Sequence, residues 1–137
     1  MDFRWRGSVT DRNPVRHWHR GRVLLIGDAA HAPLQSLAQG ACMAIEDGLC
    51  LAELIHLSGE DFSSAFRQFE ALRVTQTARV QFESRAVWDW VLHLGDVARD
   101  VRDATVSVWD EAHMFKCLPW LYDGPRLPGQ ERLSARS

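Results

Sequence analysis

The chain has 137 residues, 46% hydrophobic and 25% charged. That is the composition of one ordinary globular domain, and it excludes wholesale disorder and a fibrous repeat. Lys+Arg 16 against Asp+Glu 18 leaves a formal net charge of -2, which argues against a strongly basic nucleic-acid binder. No apolar run approaches the roughly 20 residues that span a bilayer. The opening MDFRWRGSVTDR lacks the apolar stretch of a signal peptide. Three cysteines, Cys42, Cys50 and Cys117, form no paired metal spacing, so reduced thiols in the cytoplasm are expected. Six Trp against a single Tyr predict broad apolar surfaces that need cover.

In chain order, Phe3, Trp5 and Val9 alternate with polar residues and predict a short edge strand. Asp11-Arg12-Asn13-Pro14 is a turn signal, because Pro14 biases Asn13 away from helix. Val23-Leu24-Leu25-Ile26, bracketed by Gly21 and Gly27, predicts a strand buried on both faces. Residues 28–38 read as a loop containing Pro33. From Gln39-Gly40 onward, Ala41, Ala44, Ile45, Leu49, Ala52 and Leu54-Ile55 recur at helical spacing until Gly59. A second helical run starts at Asp61 and continues, less regularly, to Leu94. A third covers about Asp96 to Trp109 and extends toward Leu118. The tail after Pro119 has no periodicity and is expected to be loose. Three segments follow: 1–58 as strand, loop and helix, 59–118 as helices, and 119–137 as an irregular tail.

A strand buried on both faces needs neighbouring strands, and this sequence supplies few. The chain therefore reads as a piece of a larger α/β protein, or as one whose sheet is completed by a partner. Unpaired strand edges predict self-association, with a homo-oligomer as one form of cover.

The chemistry lies in Gly21 to Ala52. Asp28 directly follows the carboxyl end of the predicted strand, where open α/β sheets bind ligands. A carboxylate there can accept hydrogen bonds from ribose or ribityl hydroxyls, and Gly27 permits close backbone approach. The helix start at Gln39-Gly40-Ala41 presents N–H groups without intrahelical acceptors, and with the macrodipole these favour negative charge. The two features stand about a dozen residues apart, across a loop able to wrap a ligand.

GRVLLIGDAAHAPLQSLAQGACMAIEDG resembles the second flavin-binding motif of the FAD-dependent aromatic hydroxylases, the single-component class A monooxygenases. The lead-in Asp11-Arg12-Asn13-Pro14, Trp18 and Gly21-Arg22 matches as well, as does AFRQFEALRVTQTARVQFESR at 65–85. The wording PLQSLAQGACMAIED is most similar to the salicylate and 3-hydroxybenzoate 6-hydroxylase branch. The resemblance covers residues 9–94 well and the rest loosely. It implies an α/β fold class, with this chain as a mainly helical C-terminal fragment of a Rossmann-like FAD/NAD(P)-binding monooxygenase. It also implies hydroxylation of a phenolic aromatic acid with FAD as cofactor, NAD(P)H as reductant and O₂ as co-substrate. Carried over residue by residue, Gly27 and Asp28 would meet the ribityl chain. Ala38, Gln39, Gly40 and Ala41 would face the N1/O2 edge of the flavin ring, and Pro33, Leu34, Gln35 and Ser36 would line the substrate side. No residue is assigned a catalytic role.

The departures are specific. Ala32 stands where the family often has Pro, and Ser36 where this branch often has Tyr or His. No Gly-x-Gly-x-x-Gly occurs, so the βαβ unit holding the ADP half of FAD is absent, together with most of the substrate-binding sheet. A truncated frame, a split gene or a gene remnant would each produce this. The alternative function is an inactive remnant or a helical accessory piece that complements a separate flavoprotein chain.

Plainer readings stand beside these. Asp28 could be a turn residue. His31 could ligate a metal with Asp28, but no further ligand lies at suitable spacing, and a loop histidine anchoring local backbone is favoured. Glu46-Asp47 point about 100° apart on a helix and read as structural, paired with an arginine elsewhere. Cys42 and Cys50 read as core, and His17 and His19 as a solvated loop. Trp88, Trp90 and Trp109 read as core or interface. Arg67, Arg73, Arg79 and Arg85 do not share one helix face, which argues against a nucleic-acid patch.

Overall fold

The computed structural model describes residues 10–116, 119–122 and 124. It is mainly helical with one small sheet. Strands β1 (His19–Arg20) and β2 (Val23–Leu24) pair antiparallel, His19 opposite Leu24 and Arg20 opposite Val23. Gly21, at φ +59, opens the two-residue turn between them, the positive φ that such hairpin loops require at their first position.

The hairpin corrects the expectation of a strand buried on both faces. Val23 is 66% exposed, and Leu25 and Ile26 are also exposed. The apolar run has the composition of an interior strand, but among the described residues only β1 pairs with it, and of its four side chains only Leu24 packs against the core. The expected edge strand at 3–9 lies outside the described residues.

Residues 28–38, expected as loop, contain two tight turns: helix α1 (Asp28–His31) and a 3-10 turn at Gln35–Leu37. Helix α2 (Gly40–Leu57) follows, and Gly59, at φ +57, takes the chain out of it. The Asp61 carboxylate accepts the Ser64 N–H at 3.2 Å and caps α3 (Phe62–Val87). The second periodic run predicts a helix as far as Leu94; α3 instead passes into a π-helical turn over Trp88–Leu92. The third run divides into α4 (Asp96–Val106) and α5 (Glu111–Lys116). The tail is not loose at its start, because α6 (Pro119–Tyr122) buries Leu121 against Met43 and Val80. The Arg79 guanidinium lies 3.8 Å over the Trp120 ring.

The core lies between α2 and α3. Met43, Asp47, Cys50 and Leu54 recur at four- and three-residue spacing and form the buried stripe of α2. Cys50 and Leu54 cluster with Trp18, Ala30, Ala65 and Phe69. Trp18 stands edge-on to Phe69, with ring centroids 5.9 Å apart. The Glu70 carboxylate accepts the backbone N–H groups of Trp18 and His19 and lies beside the His19 ring, fixing the hairpin on α3. His19 is thus half-buried rather than solvated, whereas His17 is exposed. Cys42 is exposed, against the expectation of core, because it sits outside the buried stripe.

Candidate functional site

Helix α1 carries Asp28 at its first position. The preceding Gly27 is buried at φ +56, ψ -141, a conformation open to glycine and strained for other residues. A Cβ on Gly27 would stand 3.2 Å from the Ala44 Cβ. The close approach that glycine permits here is therefore taken up by α2. The Gly27 carbonyl accepts the N–H groups of Ala30 and His31, each at 2.9 Å.

Helix α2 begins beside this turn. A Cβ built on Gly40 would lie 3.8 Å from Asp28 Oδ1 and 3.8 Å from Pro33 Cδ. The structure thus brings Asp28, Pro33 and the start of α2 into one place. Asp28 is exposed, and no described residue pairs or hydrogen-bonds with its carboxylate. Gln39 gives α2 no side-chain cap, and its first turn holds no acidic residue. Its leading N–H groups and the positive end of its dipole remain available to an acceptor. Ala38, at φ 53 and ψ 27, is left-handed and turns the chain from the 3-10 turn into α2. Gln35 and Ala41 are exposed. Ser36 faces the other way, its hydroxyl donating to the Ser84 carbonyl at 2.6 Å. Its proton is committed to α3.

Beneath the site lies a buried charged network. Asp47 Oδ2 accepts the Gly27 N–H at 2.9 Å and contacts His31 Nε2 at 2.6 Å. Asp47 Oδ1 accepts from Arg73 Nε at 2.7 Å. Arg73 also donates to Glu46 Oε2 at 2.8 Å, Gln76 Oε1 at 2.7 Å and the Met43 carbonyl at 3.2 Å. Asp47, Arg73 and His31 are all buried. Burial by itself pushes the Asp47 carboxyl up; His31, the Gly27 N–H and Arg73 outweigh it and hold the group below the usual carboxylate range. The Cys50 thiol is pushed up by burial, against the pull of Arg73, with Asp47 and Glu46 adding to the rise, which makes it an inert core thiol.

Arg73 is the arginine that the Glu46-Asp47 pair called for. His31 anchors to a side chain rather than to local backbone, an arrangement the sequence reading missed. The available signal was a carboxylate set at a core position of an otherwise apolar helix stripe. The lead-in, which enters the sequence reading as part of the resemblance, makes contacts that its spacing does not reveal. Arg12 reaches the Ala29 carbonyl, and Arg85 pairs with Asp11. Gln81 donates to the Arg12 carbonyl at 2.8 Å. Together they tie residues 11–12 and the turn after Asp28 to α3.

The profile of the family described as "FAD binding domain" matches residues 2–91. The chain belongs to the FAD-binding-domain family. As a member, it is similar to the 3-hydroxybenzoate 6-hydroxylase of Polaromonas naphthalenivorans, with 40% identity over 119 residues, 87% of this chain and 29% of that protein. It is 41% identical over 133 residues to the aurachin C monooxygenase/isomerase of Stigmatella aurantiaca, 96% of this chain and 29% of the relative. The structure of Klebsiella pneumoniae HpxO complexed with FAD and uric acid shares its fold at a TM-score of 0.68 and 24% identity, over 78% of this chain and 27% of the other. This FAD-binding-domain chain therefore spans 29% of the length of these two curated relatives.

Proposed function

We propose that the chain supplies the flavin-facing portion of an FAD-dependent hydroxylase acting on a phenolic aromatic acid, with NAD(P)H as reductant and O₂ as co-substrate. The observation that carries the reading is the juxtaposition of the uncommitted Asp28 carboxylate with the uncapped start of α2 at Gly40. The donor set fits the group. Asp28 offers acceptors for ribityl hydroxyls, and the N–H groups at Gly40 and Ala41 offer donors and positive potential for the flavin N1/O2 edge. The missing Cβ of Gly40 keeps that edge sterically open. FAD, when bound, supplies the redox chemistry and the activation of O₂.

The protein's share is placement. Ala38 and Gln39 bring the loop to the helix start. Pro33 and Gln35 form the wall on the substrate side, while Ser36 fixes that wall to α3 rather than touching substrate. Gly27 acts beneath the site, by letting the Asp28 turn sit on α2. Residues 1–58 carry the cofactor-facing part in this reading, and residues 59–118 buttress it. The remaining Rossmann-like sheet, including the binding site for the ADP half, comes from further protein, continuous with this chain or separate. The exposed apolar residues Val23, Leu25, Ile26, Ile45 and Leu49 favour such cover. A chain that complements a separate flavoprotein meets the same requirement.

Titration of the purified chain with FAD, followed by flavin fluorescence, tests the reading. Saturable binding that Asp28→Ala weakens is expected. Binding unchanged by Asp28→Ala would remove the site from Asp28.

A further inference from the structure

We propose that the buried Asp47–His31 pair is a positioning clamp that sets the Asp28 carboxylate against the start of α2, an inference that rests on the flavin-site reading above. Asp28 lies between Gly27 and His31, and Asp47 Oδ2 holds both of them. One oxygen thus pins the turn on either side of the residue that it presents. Asp47 itself stands seven residues along α2 from Gly40, about 10 Å down the same rigid helix. The helix therefore carries both halves of the site: its N-terminus directly, and Asp28 through Asp47. The position of Asp47 is fixed in turn by Arg73 from α3.

His31 has no other visible task. It is buried against Trp18, with ring centroids 5.3 Å apart, and its Nδ1 has no hydrogen-bond partner among the described residues. A purely structural filler at this position would be apolar, because a buried polar atom without a partner costs free energy. The contact to Asp47 is what the imidazole provides. Arg73 already balances the Asp47 charge, so losing His31 leaves no unpaired buried charge and the fold is expected to survive.

Three versions of the full chain test the clamp: wild type, His31→Leu, which removes the donor, and His31→Gln, which places an amide N–H at similar reach. Residue-resolved amide exchange without FAD is the first readout. In His31→Leu the amides of Gly27 to His31 should exchange about tenfold faster, with α3 unchanged, as expected for a lost hydrogen bond to a charged group. His31→Gln should restore most of the protection. Unchanged exchange in His31→Leu overturns the clamp. If His31→Leu does not fold, His31→Asn, polar but about an ångström shorter in reach, replaces it.

FAD affinity is the second readout. His31→Leu should raise the Kd about tenfold, since small displacements of a binding group are costly, and His31→Gln should stay within about threefold of wild type. In an Asp28→Ala background His31→Leu should add nothing, because the group being positioned is gone. An equal loss in both backgrounds overturns the clamp. If wild type binds no FAD, the flavin reading fails, and amide exchange still decides whether His31 and Asp47 hold the turn.

Discussion

The two faces of α2 invert the usual rule. The inner face buries a carboxylate, Asp47, at 0% exposure, while the outer face leaves Ile45 and Leu49 65% and 68% exposed. The outer residues Ala41, Ile45, Leu49 and Ala52 follow helical spacing and form a stripe as regular as the inner one. The helix thus carries an apolar stripe on each face, with one acid set into the inner one. Its inner layer is α3, which supplies Arg73 to match the buried acid. No described residue covers the outer stripe at Ile45 and Leu49. The exposed side chains of β2 and the segment after it, Val23, Leu25 and Ile26, share this character. The buried acid thus serves this chain's own stability, while the apolar exterior is the face that the proposed function leaves to further protein.

The contrast can be broken from inside. Asp47→Ala should cost about 3 kcal/mol or more, because it leaves the buried Gly27 N–H and His31 Nε2 without their acceptor and Arg73 with Glu46 as its one remaining carboxylate, read as a lowered midpoint in urea unfolding. Gly27→Ala should cost about 1–3 kcal/mol for backbone strain, with the 3.2 Å contact to Ala44 added, in the same measurement. A mild effect of Asp47→Ala would mean that the network is not the centre of the inner face.

Acid sharpens the same point. The Asp47 carboxyl is held below its ordinary 3.8, and that of Glu70 below its ordinary 4.5. For Glu70, burial pushes upward and the Trp18 and His19 bonds overcome it. Groups with lowered folded values stabilise the fold fully above their ordinary values, and that stability is lost as pH falls through the folded ones. The thermal midpoint should hold steady from neutral pH to about 5 and then fall steeply below it. Asp47→Asn should flatten the fall.

The smallest effect belongs to the outer face. Ile45→Gln with Leu49→Gln should change the unfolding free energy by about 0.5 kcal/mol or less, as for surface sites. The same change should reduce self-association in sedimentation. A loss of several kcal/mol would show that the stripe is packed within the chain.

The helices were legible because their signals are local. Glycine at 59, an acidic cap at 61 and apolar recurrence between them mark α2 and α3 without tertiary information. The Asp28 and Gly40 pair was legible as two separate chemical features, and the fold alone shows that they meet. The strand at Val23 to Ile26 departs from its expected burial for a physical reason. Val23 to Ile26 carries the composition of an interior strand, and burial depends on neighbours that the sequence cannot display. The same limit hid the bond between His31 and Asp47. These residues stand 16 apart, and only the packing of α1 on α2 joins them. The break between α4 and α5 went unread because no glycine or proline marks residues 107–110.

In the proposed function the start of α2 and the Asp28 turn hold the flavin together. Amide exchange of the full chain with and without FAD tests it most directly. FAD is expected to protect residues 27–31 and 38–42, with Gly40 and Ala41 protected most, and to leave the first turns of α3, residues 62–69, unchanged. Protection elsewhere, such as the groove lined by Pro14, Val15, Ala78 and Phe82, with none at Gly40, would contradict it.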